Sequence, residues 1–180
     1  ETGTPIYSDY LNGLLLSDDE VRDIYDGVVE YLKEKGLFRY EVSNFAVPGY
    51  ESKHNQNYWR RGEYVGAGVS ASGFIDDRRY TNTYSVDEYM NAVIYNKMPE
   101  IASDEILGED AEFEFVMLGL RTREGISKCE FKALFNKDFD EKYKETLKKK
   151  SRYLELDGDR VKIKDEYLYV QNDIILDFMR

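Results

Sequence analysis

Residues 39–74, RYEVSNFAVPGYESKHNQNYWRRGEYVGAGVSASGF, hold the chain's only histidine (His54), its only tryptophan (Trp59) and five glycines. Arg39–Ser43 reads as a strand running into Asn44 and Phe45, and Tyr64–Val69 reads as a second strand. The β-branched and aromatic residues and the flanking Pro48-Gly49 support both readings. Between them HNQNYW is a polar, aromatic loop. Loops hung on strand ends are where sites concentrate.

Outward from this stretch the elements alternate. Upstream, Ser17-Asp18-Asp19-Glu20 has the form of a capping box. Val21, Ile24, Tyr25, Val28 and Leu32 then recur at helical spacing until Gly36. A helix followed by a strand is an α/β unit. Downstream, Asp76–Arg79 is a turn and Tyr80–Tyr84 a short strand. Ser85–Glu88 is a second capping box, opening a helix that ends before Pro99. Residues 105–122 predict a helix packed on two sides. Ser127–Glu130 caps a short helix to Phe135, and another spans about 139–151. Asp157-Gly158-Asp159 turns a hairpin between 153–156 and 160–163, and a final amphipathic helix uses Leu168, Ile174, Ile175 and Phe178.

Composition narrows the function classes. The 180 residues are 42% hydrophobic and 34% charged, with a net charge of -11. No apolar run approaches the ~20 residues of a membrane span, and no stretch has signal-peptide form. The reading is a soluble acidic protein. Acidity is concentrated: residues 1–120 carry 10 Lys/Arg against 23 Asp/Glu, and residues 121–180 carry 15 against 13, as expected of two parts with different surfaces. The Lys148–Lys150 run sits in a near-neutral half, so no nucleic-acid partner is expected.

YEVSNFA, PGYESKHNQNYW and YVGAGVSA, in this order, resemble the HemW branch of the radical-SAM proteins, relatives of oxygen-independent coproporphyrinogen III oxidase. The hexad of His54, Asn55, Tyr58 and Trp59 resembles the mark of the haem-chaperone branch. The resemblance implies an α+β architecture: residues 1–100 the last βα portion of a (β/α) partial barrel, residues 101–180 a helical, winged-helix-like domain of the HemN type. It implies a fragment, since Glu1-Thr2-Gly3-Thr4-Pro5 resembles the family segment that leaves a barrel strand. It implies a [4Fe–4S] cluster, S-adenosylmethionine and haem in intact relatives, and a cytoplasmic location. The partners implied are haem or porphyrin and a haem-accepting protein, with self-association through the truncated barrel edge. The runners-up are the oxidase itself, an oxidative decarboxylase, and a non-catalytic interaction module.

The residues bear on these expectations unevenly. Three thiolates are needed to hold such a cluster, and the chain has only Cys129. The chain alone is therefore expected to be inactive as an oxidoreductase, and Cys129 to be a small buried hydrophobe. By resemblance, Gly66, Gly68, Ser70 and Ala71 line the S-adenosylmethionine pocket, but the segment lacks the spacing of a phosphate loop. His54 has two readings: an axial haem ligand with Tyr58 and Trp59 stacking on the macrocycle, or a loop residue beside two core aromatics. Arg60-Arg61 and Arg78-Arg79 are read either as solvated charges or as partners for porphyrin propionates.

Overall fold

A computed structural model describes residues 2–179. The first helix, α1 (Pro5–Leu11), stands where the sequence reads as a loop; Thr4 caps it by accepting from the Tyr7 amide, and Pro5 fits its first turn. In α2 (Asp18–Glu34) the capping box is realised in both directions, Ser17 and Glu20 each taking the other's amide. The apolar stripe of α2 is largely bare: Val21, Ile24 and Val28 are each about half exposed. Tyr25 faces inward instead, its hydroxyl donating to the Val42 carbonyl at 3.1 Å.

The strand expected over 39–45 breaks after two residues. β1 (Phe38–Arg39) pairs antiparallel with β2 (Phe45–Ala46), Phe38 opposite Ala46. Beyond Arg39 the backbone turns to the other half of the molecule: Tyr40 accepts from the Arg123 amide at 3.0 Å, and Glu41 bridges Thr122. The expected loop HNQNYW is a helix, α3 (Lys53–Trp59), capped by Ser52. The strand expected over 64–69 is a bridge from Tyr64 to Phe74 followed by irregular chain.

β3 (Ser72–Ile75), β4 (Arg78–Asn82) and β5 (Glu100–Glu105) form an antiparallel meander. Asp76 and Asp77 both have positive φ, the backbone a two-residue hairpin needs to match strand twist. Gly73 is required because a Cβ there would fall 2.2 Å from the Tyr80 ring. Helix α4 (Val86–Ile94) starts at Ser85, which caps Glu88. The Glu88 carboxylate takes the Thr83 hydroxyl, so only half of that box forms.

β5 then leads into α5 (Gly108–Gly119), which begins three residues later than expected because 100–105 pairs with β4. The rest follows the sequence closely. β6 (Ile126–Ser127), α6 (Lys128–Phe135), α7 (Phe139–Lys142), α8 (Lys144–Lys150) and the hairpin β7 (Leu154–Asp157) and β8 (Arg160–Ile163) precede α9 (Gln171–Leu176) between two 3-10 turns. The sheet order is β6-β8-β7, a small wing against helices. Every sheet pairing among the described residues is antiparallel. Phe131, fully buried, lies within 6 Å of the rings of Phe115, Phe135, Phe139 and Tyr143.

Two carboxylates tie elements together. Glu114 on α5, in a side chain 9% exposed, takes Arg61 Nε at 2.9 Å and Arg79 Nη1 at 2.8 Å. Asp159, at the hairpin turn, accepts from the Cys129 amide and the Ser127 hydroxyl. Cys129 is exposed, not buried as the sequence suggests, and the carboxylate beside it pushes the thiol up. The thiol, the Ser127 hydroxyl and the Cys129 amide hold Asp159 at about 2.

Removing Glu114 leaves two guanidinium groups facing each other, one of them nearly buried. Glu114→Ala is therefore expected to cost about 3 kcal/mol in urea unfolding, and Glu114→Gln less. Asp159 has a depressed folded pKa, so its contribution is complete above its ordinary value of 3.8 and is lost as pH falls through about 2. Asp159→Asn is expected to be less stable than the parent at pH 6 and to converge on it as pH falls below about 2, as read by acid-titrated circular dichroism.

Candidate functional site

His54 stands on α3, a helix whose residue types have modest helix propensity. Its cap is Ser52 and its end is abrupt. Arg61 takes a left-handed backbone, φ 55, a conformation that costs a non-glycine residue on the order of 1 kcal/mol. The Arg61 side chain offsets that strain. Its guanidinium reaches Asp77 Oδ1 at 2.7 Å, Glu114 Oε2 at 2.9 Å and the Ile106 carbonyl at 2.9 Å, and lies over the Phe74 ring. Thus α3 is bolted by the residue that ends it to the meander and to α5.

On α3 the residues of the hexad separate. His54 and Tyr58, one turn apart, share a face; the Tyr58 hydroxyl lies 2.8 Å from His54 Nε2, and the rings meet edge to face at 4.7 Å. Tyr64 packs edge-on against Tyr58 at 4.5 Å. His54 itself is exposed. Trp59 lies about 140° round the helix from His54 at 100° per residue. It lines a cavity of about 280 Å³ with Phe115, Ile126 and Leu134. The structure therefore brings His54 and Tyr58 together and turns Trp59 towards α5 and α6.

The glycine segment is closed on itself. The Gly66 amide donates to the Tyr80 hydroxyl and the Gly68 amide to the Tyr89 hydroxyl, each at 3.0 Å. Ser70 N–H goes to the Thr83 carbonyl, and Ala71 N–H to Gly68 O at 3.4 Å. Asn82 Nδ2 donates to both Gly66 O and Gly68 O. All four N–H groups of the residues singled out from sequence already have partners. What the segment can offer a ligand is close approach at its glycines and the Ser70 hydroxyl. Asn82, Tyr80 and Tyr89 do not stand out in the sequence; their only signal is polar tips among strand and helix residues facing the glycines.

Three of the four paired arginines are engaged internally, against both readings of them as solvated or propionate-binding. Arg61 and Arg79 clamp Glu114, and Arg78 meets Glu100 at 2.6 Å. Arg60 is exposed and pairs with exposed Glu124 at 2.9 Å. Among the described residues no group of three or more His, Cys, Asp or Glu is placed to hold a metal ion, and no helix is long and apolar enough to cross a membrane.

Residues 106–166 match the HemN C-terminal domain family. The chain is 35% identical over 170 residues to the heme chaperone HemW of Lactococcus lactis, covering 92% of this chain and 44% of that protein. It is 32% identical over 130 residues to the heme chaperone HemW of Bacillus subtilis, covering 72% and 34%. The chain thus spans less than half the length of these relatives. The solved structure of coproporphyrinogen III oxidase, HemN, a radical SAM enzyme of Escherichia coli, superposes with a TM-score of 0.70 at 18% identity, over 91% of this chain and 42% of that one; at that identity the likeness shows the fold.

Asn82→Ala removes two hydrogen bonds from a buried position and frees two carbonyls. The expected loss is about 2 kcal/mol, with faster amide hydrogen exchange confined to residues 66–71; unchanged exchange there would show that Asn82 does not hold the segment. With this α+β fold, the winged C-terminal module and the heme chaperone relatives together, the chain belongs to the HemW family, residues 106–166 being its HemN C-terminal domain.

Proposed function

We propose that the intact protein binds haem through His54 and delivers it to an acceptor protein in the cytoplasm. The observation that carries this reading is an exposed imidazole, the only one in the chain, on a helix fixed by the Arg61 clamp and partnered by Tyr58. The residues fit an axial ligand. The ring is accessible, and its Nε2 is held by a hydroxyl that rotates away at the cost of one hydrogen bond. Haem would supply the iron and a flat apolar face; Tyr58 would orient the imidazole before binding. Trp59 contributes through packing against α5 and α6. The names of the relatives support a chaperone over the oxidase.

Of the family's other cofactors, the cluster finds no fit here. Cys129 stands alone where a cluster needs three thiolates, so [4Fe–4S] ligation would have to come from residues other than these. For S-adenosylmethionine we propose that Gly66, Gly68, Ser70 and Ala71 form a contact wall, not a set of hydrogen-bond donors, because their amides are already used. We place the division between the two parts at Ile106–Leu107, a few residues after 100, because β5 is hydrogen-bonded to β4.

Haem titration tests the reading. Binding in the micromolar range, on the order of -8 kcal/mol, is expected with a shifted Soret band that His54→Ala removes. Tyr58→Phe frees Nε2 and is expected to tighten binding about fivefold, the equivalent of one net hydrogen bond. Trp59→Ala is expected to lower stability while leaving the Soret position unchanged. An unaltered spectrum and affinity in His54→Ala would remove the axial assignment.

A further inference from the structure

The cavity of about 280 Å³ beside Trp59 has no part in the haem reading. Its lining is mostly apolar. Phe115 and Ile126 belong to the buried core of the C-terminal module, and Trp59 and Leu134 complete the walls. Gly119 lets β6 approach α5 there, since a Cβ would fall 2.2 Å from Ile126 Cγ2. The charged groups are few and of both signs. Arg60 and Glu124 satisfy one another at 2.9 Å. Glu130 and Arg160 do not: among the described residues neither side chain forms an ion pair. Glu130 is also released from the capping box that its sequence position suggests. The Ser127 hydroxyl accepts from the Glu130 amide at 3.0 Å, but among the described residues no bond returns from the Glu130 carboxylate. Arg160 stands opposite Ser127 in the β6–β8 ladder, and Glu130 is one turn of α6 further on.

We propose that this cavity binds a free α-amino acid with a large apolar side chain. The side chain lies against Trp59, Phe115 and Ile126, the ammonium group meets Glu130, and the carboxylate meets Arg160. Such a site stands apart from the haem reading and does not depend on it. Three features select this ligand class. A space of this size takes one apolar group as large as a side chain, not an extended ligand. A rim of both signs disfavours a simple anion, which would face Glu130, and a simple cation, which would face Arg160. A zwitterion meets both with charge-assisted hydrogen bonds, and the planar fork of Arg160 suits a carboxylate. Trp59 adds an aromatic face on which a ring stacks offset. It also points well away from His54 round α3, so the two faces of that helix serve different ligands.

Trp59 is the chain's only tryptophan, so its fluorescence reports on the cavity directly. The full chain is titrated, with Trp59 emission as the readout, against L-phenylalanine and two analogues that each lack one charge, phenethylamine and 3-phenylpropionate. L-Phenylalanine is expected to give a saturable change with a dissociation constant on the order of 1 mM. Each analogue is expected to bind about tenfold more weakly, the equivalent of one charge-assisted contact. L-Alanine, with no side chain to fill the space, is expected to give no change. Glu130→Gln is expected to weaken L-phenylalanine about tenfold and to leave 3-phenylpropionate no weaker. Arg160→Gln is expected to weaken L-phenylalanine likewise and to leave phenethylamine no weaker. A variant that merely misfolds loses all three ligands, and the ranking of the ligands on the parent chain then decides. No saturable change with L-phenylalanine, equal affinity for it and both analogues, or an undiminished response in both variants overturns the site.

Discussion

A carboxylate set into a protein interior is tolerable only where cations meet both of its oxygens. Glu114 meets that condition through Arg61 and Arg79, each from a different element of the N-terminal half. The pairing fixes more than charge. It places the end of α3 against α5, holds the β3–β4 hairpin through Asp77, and keeps a left-handed arginine where a glycine would otherwise stand. A surface ion pair would contribute little to such an arrangement; here both partners of the Arg61–Glu114 contact are about nine-tenths buried at the side chain, so separating them leaves an uncompensated charge on either face.

The candidate residues inherit their positions from this junction. His54 is one helical turn from Tyr58 on a helix of only seven residues, too short to persist alone in water. Its order comes from the Ser52 cap at one end and from Arg61 at the other. The Arg123 amide donates to the Tyr40 carbonyl, which ties the chain after β1 to the turn after α5.

The C-terminal module is largely legible in the sequence, because there local signals and tertiary packing agree. Ser127 caps α6, Asp157-Gly158-Asp159 turns the hairpin, and apolar spacing puts Phe131, Val161 and Ile174 in the core. The N-terminal half is less so. HNQNYW has neither the apolar spacing nor the helix formers that announce a helix, yet Ser52 three residues before Asn55 supplies the cap. RYEVS reads as a strand by residue type, and the backbone of Tyr40 and Glu41 instead pairs with Arg123 and Thr122, a contact more than eighty positions distant. The missed strand Glu100–Glu105 is held by pairing with β4, and its exposed, acidic residues carry no alternation. Glu114 was visible only as a charge inside an otherwise apolar helix, with nothing to say which cations it would choose.

The central claim is that α3 is mechanically part of the C-terminal module through Arg61 and Glu114. Native-state amide hydrogen exchange across a series of low urea concentrations tests it most directly. If the clamp unites them, the amides of Gln56, Asn57, Tyr58 and Trp59 open with the same free energy and urea dependence as those in the middle of α5. If the α3 amides exchange by small, urea-insensitive openings while α5 remains protected, the helix is only resting on the module, and the account of how His54 is held is contradicted.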